Sequence, residues 1–342
     1  MITDNVDSDC GALWRRRLAP YRKANDARGL YELTITVVLF VAAWLIMLLL
    51  LQFSFLLALA ISVPAAGLLV RLFMIQHDCG HGALFSSRRL NDNVGRLLGV
   101  LTLTPYDFWR QSHAIHHASS GNLERRGVGD IATMTVSEYL ESGYLQRLAY
   151  RLYRHPLVMF GLGPIYYFFI QQRMPIGAMD KAMPWISTQL TNAGIILTSA
   201  LLIYALGLKT FLLLHIPILV LAASFGVWLF YVQHQFDTTV WDRDEDWSHA
   251  EAALHGSSFY DLPAPLMWLS GNIGCHHVHH LSSRIPFHAL PSVMDNYPEL
   301  KSVSRLTIRQ SLQCVKLALW DDRKRRLVSF SEALTSARCE VS

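Results

Sequence analysis

Charged residues are absent from Leu33 to Val70 and, apart from Lys209, from Ile186 to Phe236. Each stretch is long enough to cross the roughly 30 Å hydrocarbon layer of a bilayer as a helix and come back. The first predicts a span over Leu33–Phe53, followed almost without a loop by a second over residues 54–76. The apolar part of that second span is Leu56–Val70; Arg71 is expected to snorkel towards water while the helix continues through His77. The second stretch predicts Ile186–Leu208 going out, a turn at Lys209 and Thr210, and residues 211–233 returning. Val94–Leu103 and Pro156–Ile170 are apolar but short and interrupted by Gly or Pro, which suits re-entrant or interfacial helices. In the tail, Leu306, Leu312, Val315 and Leu319 stand near helical spacing, so Val303–Trp320 is expected to be a helix, on the membrane surface or in solvent. The expected fold is therefore all-α and integral to the membrane: four transmembrane helices in two hairpins, with re-entrant or interfacial helices and a cytosolic cap. No repeat or linker divides residues 1–342, which read as a single domain.

Composition agrees with this pattern. Of the 342 residues, 52% are hydrophobic and 16% charged, with a mean hydropathy of +0.25, too apolar for an ordinary soluble domain. Arg15, Arg16, Arg17, Arg22, Lys23 and Arg28 precede the first span, and no cleavable leader is evident there. The positive-inside rule then puts residues 1–32, 77–185 (with their membrane-embedded stretches) and 234–342 on the cytosolic side. A net charge of +4, with basic residues dispersed outside the apolar runs, argues against nucleic-acid binding. Cys10, Cys79, Cys275, Cys314 and Cys339 are an odd, scattered set with no CxxC, which suggests neither a disulfide framework nor a zinc ribbon.

The chemistry is concentrated in histidine, of which there are fifteen. His77 and His81 are four apart; His113, His116 and His117 form H-x-x-H-H; His276, His279 and His280 repeat that pattern. Helix positions three and four apart share a face, so each cluster can aim its imidazoles at one point. All three clusters fall on the same predicted side of the membrane. Imidazole nitrogen suits iron, copper, zinc or nickel, and spacing alone does not choose among them. His234 stands alone at the end of the last returning span, at a depth matching His77, and joins the candidate ligands on that ground.

The motifs HDCGH (77–81), WRQSHAIHH (109–117) and HHVHH (276–280) together closely resemble the three histidine boxes of membrane fatty acid desaturases. GNLERRGVGDI from Gly121, MTVSEY from Met134, YVQHQF from Tyr231, HGSSFYDLP from His255 and GNIGCHHVHHLSSRIP from Gly271 look like the bacterial acyl-lipid branch. The resemblance covers about residues 35–310. It implies a bacterial inner-membrane enzyme with two iron ions, O2 as co-substrate and ligands at His77, His81, His113, His116, His117, His234, His276, His279 and His280. His277 lies outside the pattern and is expected to pack behind it, whereas His155, His215, His249, His255 and His288 carry no expected ligand role. Asn272 is a candidate to hold an iron-bound water, or to cap a helix.

Asp78, Asp107, Glu124, Asp130 and Asp237, acidic residues in or near the boxes, are candidates to orient imidazole N–H groups, with a surface salt bridge an equal alternative for Glu124. Cys79 and Cys275 adjoin ligands but point off their face, as packing residues do. An apolar tunnel would select the substrate carbons; Trp228, Phe225, Trp185 and Met74 are candidate lining residues for which helix packing is the simpler role. His155-Pro156 is followed by Leu157 and Val158, not by the glycine pair of a cytochrome b5 haem motif, so electrons must come from a separate protein, ferredoxin or a similar donor. The expected substrate is an acyl chain already esterified in membrane lipid. An acyl-CoA substrate would need a basic patch, for which Arg125, Arg126, Arg151 and Arg154 are candidates. Rival readings are a hydroxylase or ketolase sharing the boxes, an intramembrane metalloprotease built on H-D-x-x-H, and a metal-binding transporter or sensor.

Overall fold

The computed structural model describes residues 3–178 and 180–341, with side chains described for 11–178 and 180–336. Helix α1 (Thr3–Leu18) precedes two long helices, α2 (Asp26–Leu51) and α3 (Phe55–His81). Asn25 starts α2 by accepting the Arg28 N–H, and Gly82, at φ +63°, stops α3 immediately after His81. Shorter helices follow: α4 (Arg88–Leu101), α5 (Tyr106–Ser119), α6 (Val136–Glu141), α7 (Tyr144–Tyr153), then a π-helical turn over Val158–Leu162 running into α8 (Gly163–Phe169). The second long pair is α9 (Ala182–Leu206) and α10 (Leu208–His234). All four long helices are long and apolar enough to cross a membrane, as the sequence pattern predicts.

α3 is the central helix, packed against α2 on one side and α10 on the other. Its small residues Ala58, Ser62, Ala65 and Ala66 are buried, letting neighbouring backbones approach closely. The outer turn of the second hairpin differs from expectation. Gly207 alone makes it, at φ +79° and ψ 150°, and Lys209 and Thr210 already belong to the first turn of α10. Few residues but glycine adopt that conformation, and only glycine lets two apolar helices reverse without a polar loop.

Arg71 does not snorkel. It is buried between α2 and α3, where Nη2 pairs with Glu32 Oε2 at 2.5 Å, Nε donates to Thr36 Oγ1 and Nη1 donates to the Trp268 carbonyl. Its guanidinium also stacks over Trp268 at 4.0 Å. A carboxylate at the entry of the first span and a carbonyl from the cap offered it more than water did.

The cap consists of α11 (His249–His255), α12 (Ala264–Leu269), α13 (His276–Leu281), α14 (Leu290–Asn296), α15 (Ile308–Cys314) and α16 (Phe330–Val341), laced by very short strands. β1 (Met134–Thr135), β4 (Leu319–Asp321) and β5 (Arg326–Val328) form one sheet in the order β1-β4-β5; β2 (Phe259–Asp261) pairs in parallel with β3 (Arg305–Thr307). The expected helix over Val303–Trp320 is therefore broken. Leu306 and Leu319 are buried strand residues, and Thr307 caps the intervening α15 through a capping box with Gln310.

Candidate metal centre

Four elements deliver the histidines. α3 presents His77 and His81 one turn apart at its end, α5 carries His113, His116 and His117, α10 ends on His234, and α13 carries His276, His279 and His280. All nine converge in two groups: His77, His81, His113, His117 and His279 in one, and His116, His234, His276 and His280 in the other. Within each group the candidate ligand atoms lie within 4.8 Å of one another. The i, i+4 pair of each H-x-x-H-H motif stays together, while the remaining histidine crosses to the other group. Each motif thereby serves both centres.

In the five-histidine group, His113 Nε2 lies 3.0 Å from His77 Nε2 and 3.1 Å from the Nε2 atoms of both His81 and His117; His279 Nε2 is 3.0 Å from His117 Nε2. In the four-histidine group, His276 Nε2 lies 2.9 Å from His234 Nε2 and 3.0 Å from His280 Nε2. His116 Nε2 is buried without a hydrogen-bond partner, its ring 4.7 Å from that of His234. An imidazole nitrogen has a single in-plane site, as donor or acceptor, so His113 Nε2 cannot hydrogen-bond three neighbours at once. A cation removes the conflict: nitrogens about 2.1 Å from a shared metal and at right angles to one another stand about 3.0 Å apart. Burial, and after it the neighbouring rings, hold His113, His117, His276, His279 and His280 well below the usual imidazole range, so protons compete weakly for their lone pairs. This donor set suits a pair of transition-metal ions.

Outer nitrogens are anchored from behind. His77 Nδ1–H donates to Asp78 Oδ1 at 3.2 Å, while the other oxygen of Asp78 accepts the Phe287 N–H at 2.6 Å. His116 Nδ1–H donates to Asp130 Oδ1 at 2.5 Å, and His234 Nδ1–H to the Gly256 carbonyl at 3.2 Å. These contacts fix which nitrogen faces the group interior. Asp130 reaches His116 because Gly129, at φ +75°, lies so close to α5 that a Cβ there would stand 3.1 Å from the Ser112 carbonyl.

Several expectations do not survive the geometry. Asp107 binds Arg96 and Arg110 and Asp237 pairs with Arg326, so neither orients an imidazole, while Glu124 pairs with Arg243 in the surface salt bridge that was its alternative role. Asn272 does not cap α13, whose N-cap is Cys275; its side chain donates to the Phe287 carbonyl at 3.1 Å, with its backbone at φ +54°. His277 lies outside both groups, with Nε2 held by the Leu300 carbonyl at 3.1 Å, and burial pushes its pKa down to about 4. Cys79 and Cys275 are buried in the apolar core as expected. Trp185 is exposed, Trp228 packs on Phe160, and Phe225 and Met74 are packing residues.

The four arginines considered for a nucleotide site are committed elsewhere. Arg125 pairs with Asp244 at 2.7 Å, Arg126 with Glu138, Arg151 donates to Tyr139 Oη, and Arg154 is buried against Tyr231, Gln235 and Leu317. Sequence reasoning passed over Trp109, whose indole stacks on His113 at 4.6 Å and 17°. An aromatic one helical turn before a ligand was the available signal.

Comparison with known proteins agrees with the constellation. A family model described as fatty acid desaturase matches residues 54–310. A fatty acid desaturase of Bacillus subtilis is 45% identical over 316 residues, covering 92% of this chain and 89% of the relative. An sn-1 acyl-lipid omega-3 desaturase (ferredoxin) of Synechocystis is 32% identical over 236 residues, 64% of this chain and 61% of that protein. Its namesake in Nostoc is 28% identical over 269 residues, 73% and 69% of the two chains.

Proposed function

The chain belongs to the fatty acid desaturase family, and from that premise we propose that it inserts a double bond into acyl chains esterified in membrane lipid, with two iron ions, O2 and electrons from a separate donor protein. The observation that carries this reading is the convergence of nine histidines into a group of five and a group of four at the ends of the spanning helices. His77, His81, His113, His117 and His279 would hold one iron and His116, His234, His276 and His280 the other. When bound, the irons supply the oxidising power, drawn from O2, needed to take two hydrogens from an unactivated chain. The remaining balance is two electrons and two protons from outside, giving two waters.

The protein's own part is placement. Asp78, Asp130 and the Gly256 carbonyl hold three of the rings by their outer nitrogens, so that the inner nitrogens stay aimed into their groups. The four-histidine group is buried throughout and the five-histidine group is buried at His77 and His279, which limits the access of bulk water to a reaction that water would quench.

Two features favour lipid over thioester. His77, His81 and His234 lie at the ends of apolar helices, where an acyl chain can reach them without leaving hydrocarbon, and each methylene kept there avoids a cost of about 0.8 kcal/mol. Arg125, Arg126, Arg151 and Arg154 are occupied by protein partners, which leaves no ready-made cradle for nucleotide phosphates among them. The two cyanobacterial relatives, named as ferredoxin-dependent acyl-lipid enzymes, support both this substrate and a ferredoxin-like donor. The basic N-terminal flank supports a cytosolic position for the cap, in a bacterial inner membrane. Pulse-labelled phospholipid in expressing cells, chased with chain remodelling and new synthesis blocked, should gain double bonds while still esterified. Unsaturation confined to the thioester pool would overturn the substrate assignment.

A further inference from the structure

Helix α7, which packs beside the cap, carries an exposed apolar surface. Tyr144, Leu145, Leu148 and Leu152 are 74%, 77%, 41% and 56% exposed. At about 100° per residue they fall within a single arc of about 100°, and Arg147 and Arg151 border it on one side. The opposite face is fastened to the cap: Tyr150 Oη accepts the Met134 N–H, and Tyr153 Oη accepts the Ala132 N–H, both at 3.1 Å. Those bonds grip the residues that follow Asp130, the carboxylate on His116. The helix therefore cannot roll its apolar arc inward without releasing them.

The arc continues into surface already at membrane level. Only Arg154, His155 and Pro156 separate α7 from Leu157, which is 74% exposed, and Leu162, a turn and a half on, is 65% exposed. Between them Phe160 packs on Trp228 and Tyr231 of α10, at 5.0 and 5.1 Å. Trp228 is six residues, about 9 Å of helix, before His234 at the end of that span. We propose that α7 is an interfacial helix, seated in the leaflet that adjoins the histidine groups, with Tyr144, Leu145, Leu148 and Leu152 in the edge of the hydrocarbon. The charge pattern alone places this segment on the cytosolic side, outside the stretches expected to be membrane-embedded. An exposed apolar arc rimmed by arginine and continuous with lipid-facing helix is the signature of such a seat.

The test uses full-length protein in phosphatidylcholine vesicles, with Cys10 and Cys339 changed to serine and a nitroxide placed singly at Leu145→Cys, Leu148→Cys or, on an exposed loop of the cap, Glu245→Cys. Relaxation by dissolved oxygen and by a water-soluble nickel chelate reports the surroundings of each label. The seat predicts that the oxygen-to-nickel accessibility ratio at both α7 positions exceeds that at Glu245→Cys several-fold. Nickel access equal to that at Glu245→Cys would place α7 in water. Protection from both reagents would mean that protein, such as a second copy of the chain, covers it. Either of these results overturns the proposal.

Discussion

At the scale of single residues, the histidine spacing carried most of the information, because i, i+3 and i+4 positions on a helix converge wherever the helix is put. What spacing could not supply was the division into two groups. That depends on α13 meeting α5 so that His279 turns to one group while His276 and His280 turn to the other. The acidic residues were read less well, since proximity in sequence says little about which partner wins. Asp107 went to Arg96 and Arg110, whereas Asp130 was brought to His116 by a glycine loop. If the grouping describes the ligands, His116→Ala lowers iron from about two to about one per chain, read by elemental analysis of purified protein. His249→Ala and His288→Ala, outside both groups, should keep full iron and most activity. Asp130→Asn should weaken iron affinity about 10- to 100-fold in a chelator titration, while Asp237→Asn, at an exposed pair, should leave it unchanged.

At the scale of elements, the four long helices were legible because an uncharged run of spanning length has few other uses. Their ends were less legible. The outer turn was expected at Lys209 and Thr210 because they are polar, yet the chain reverses at Gly207, where backbone freedom rather than polarity decides. Gly207→Ala should therefore destabilise the second hairpin by about 1–3 kcal/mol, seen as a lower midpoint of thermal unfolding in detergent, with Lys209→Ala nearly neutral. The tail misled for another reason. Of the four apolar residues near helical spacing, Leu306 and Leu319 are buried in separate strands while Leu312 is exposed on α15, and tertiary pairing with Phe259–Asp261 and Met134–Thr135 selected that arrangement.

At the scale of the whole molecule, two apolar hairpins deliver two helix ends to one side, and the cap folds over them to supply the remaining ligands. A cap was expected from the sequence, but its short strands were not legible, because strands of two or three residues hold together by long-range pairing and leave no periodic trace. The expected cytosolic cap has a direct check: Glu245→Cys should resist an impermeant thiol reagent added outside intact cells and react once the cells are opened. Reaction in intact cells would invert the topology. The central claim, that this histidine-held centre desaturates membrane lipid, is met most directly by expressing the chain in a host that lacks desaturases and locating double bonds in its glycerolipids by mass spectrometry. The account predicts a new double bond at a defined chain position that requires oxygen and is absent with His116→Ala. Hydroxylated chains in place of unsaturated ones, or the same double bond formed by His116→Ala, would contradict it.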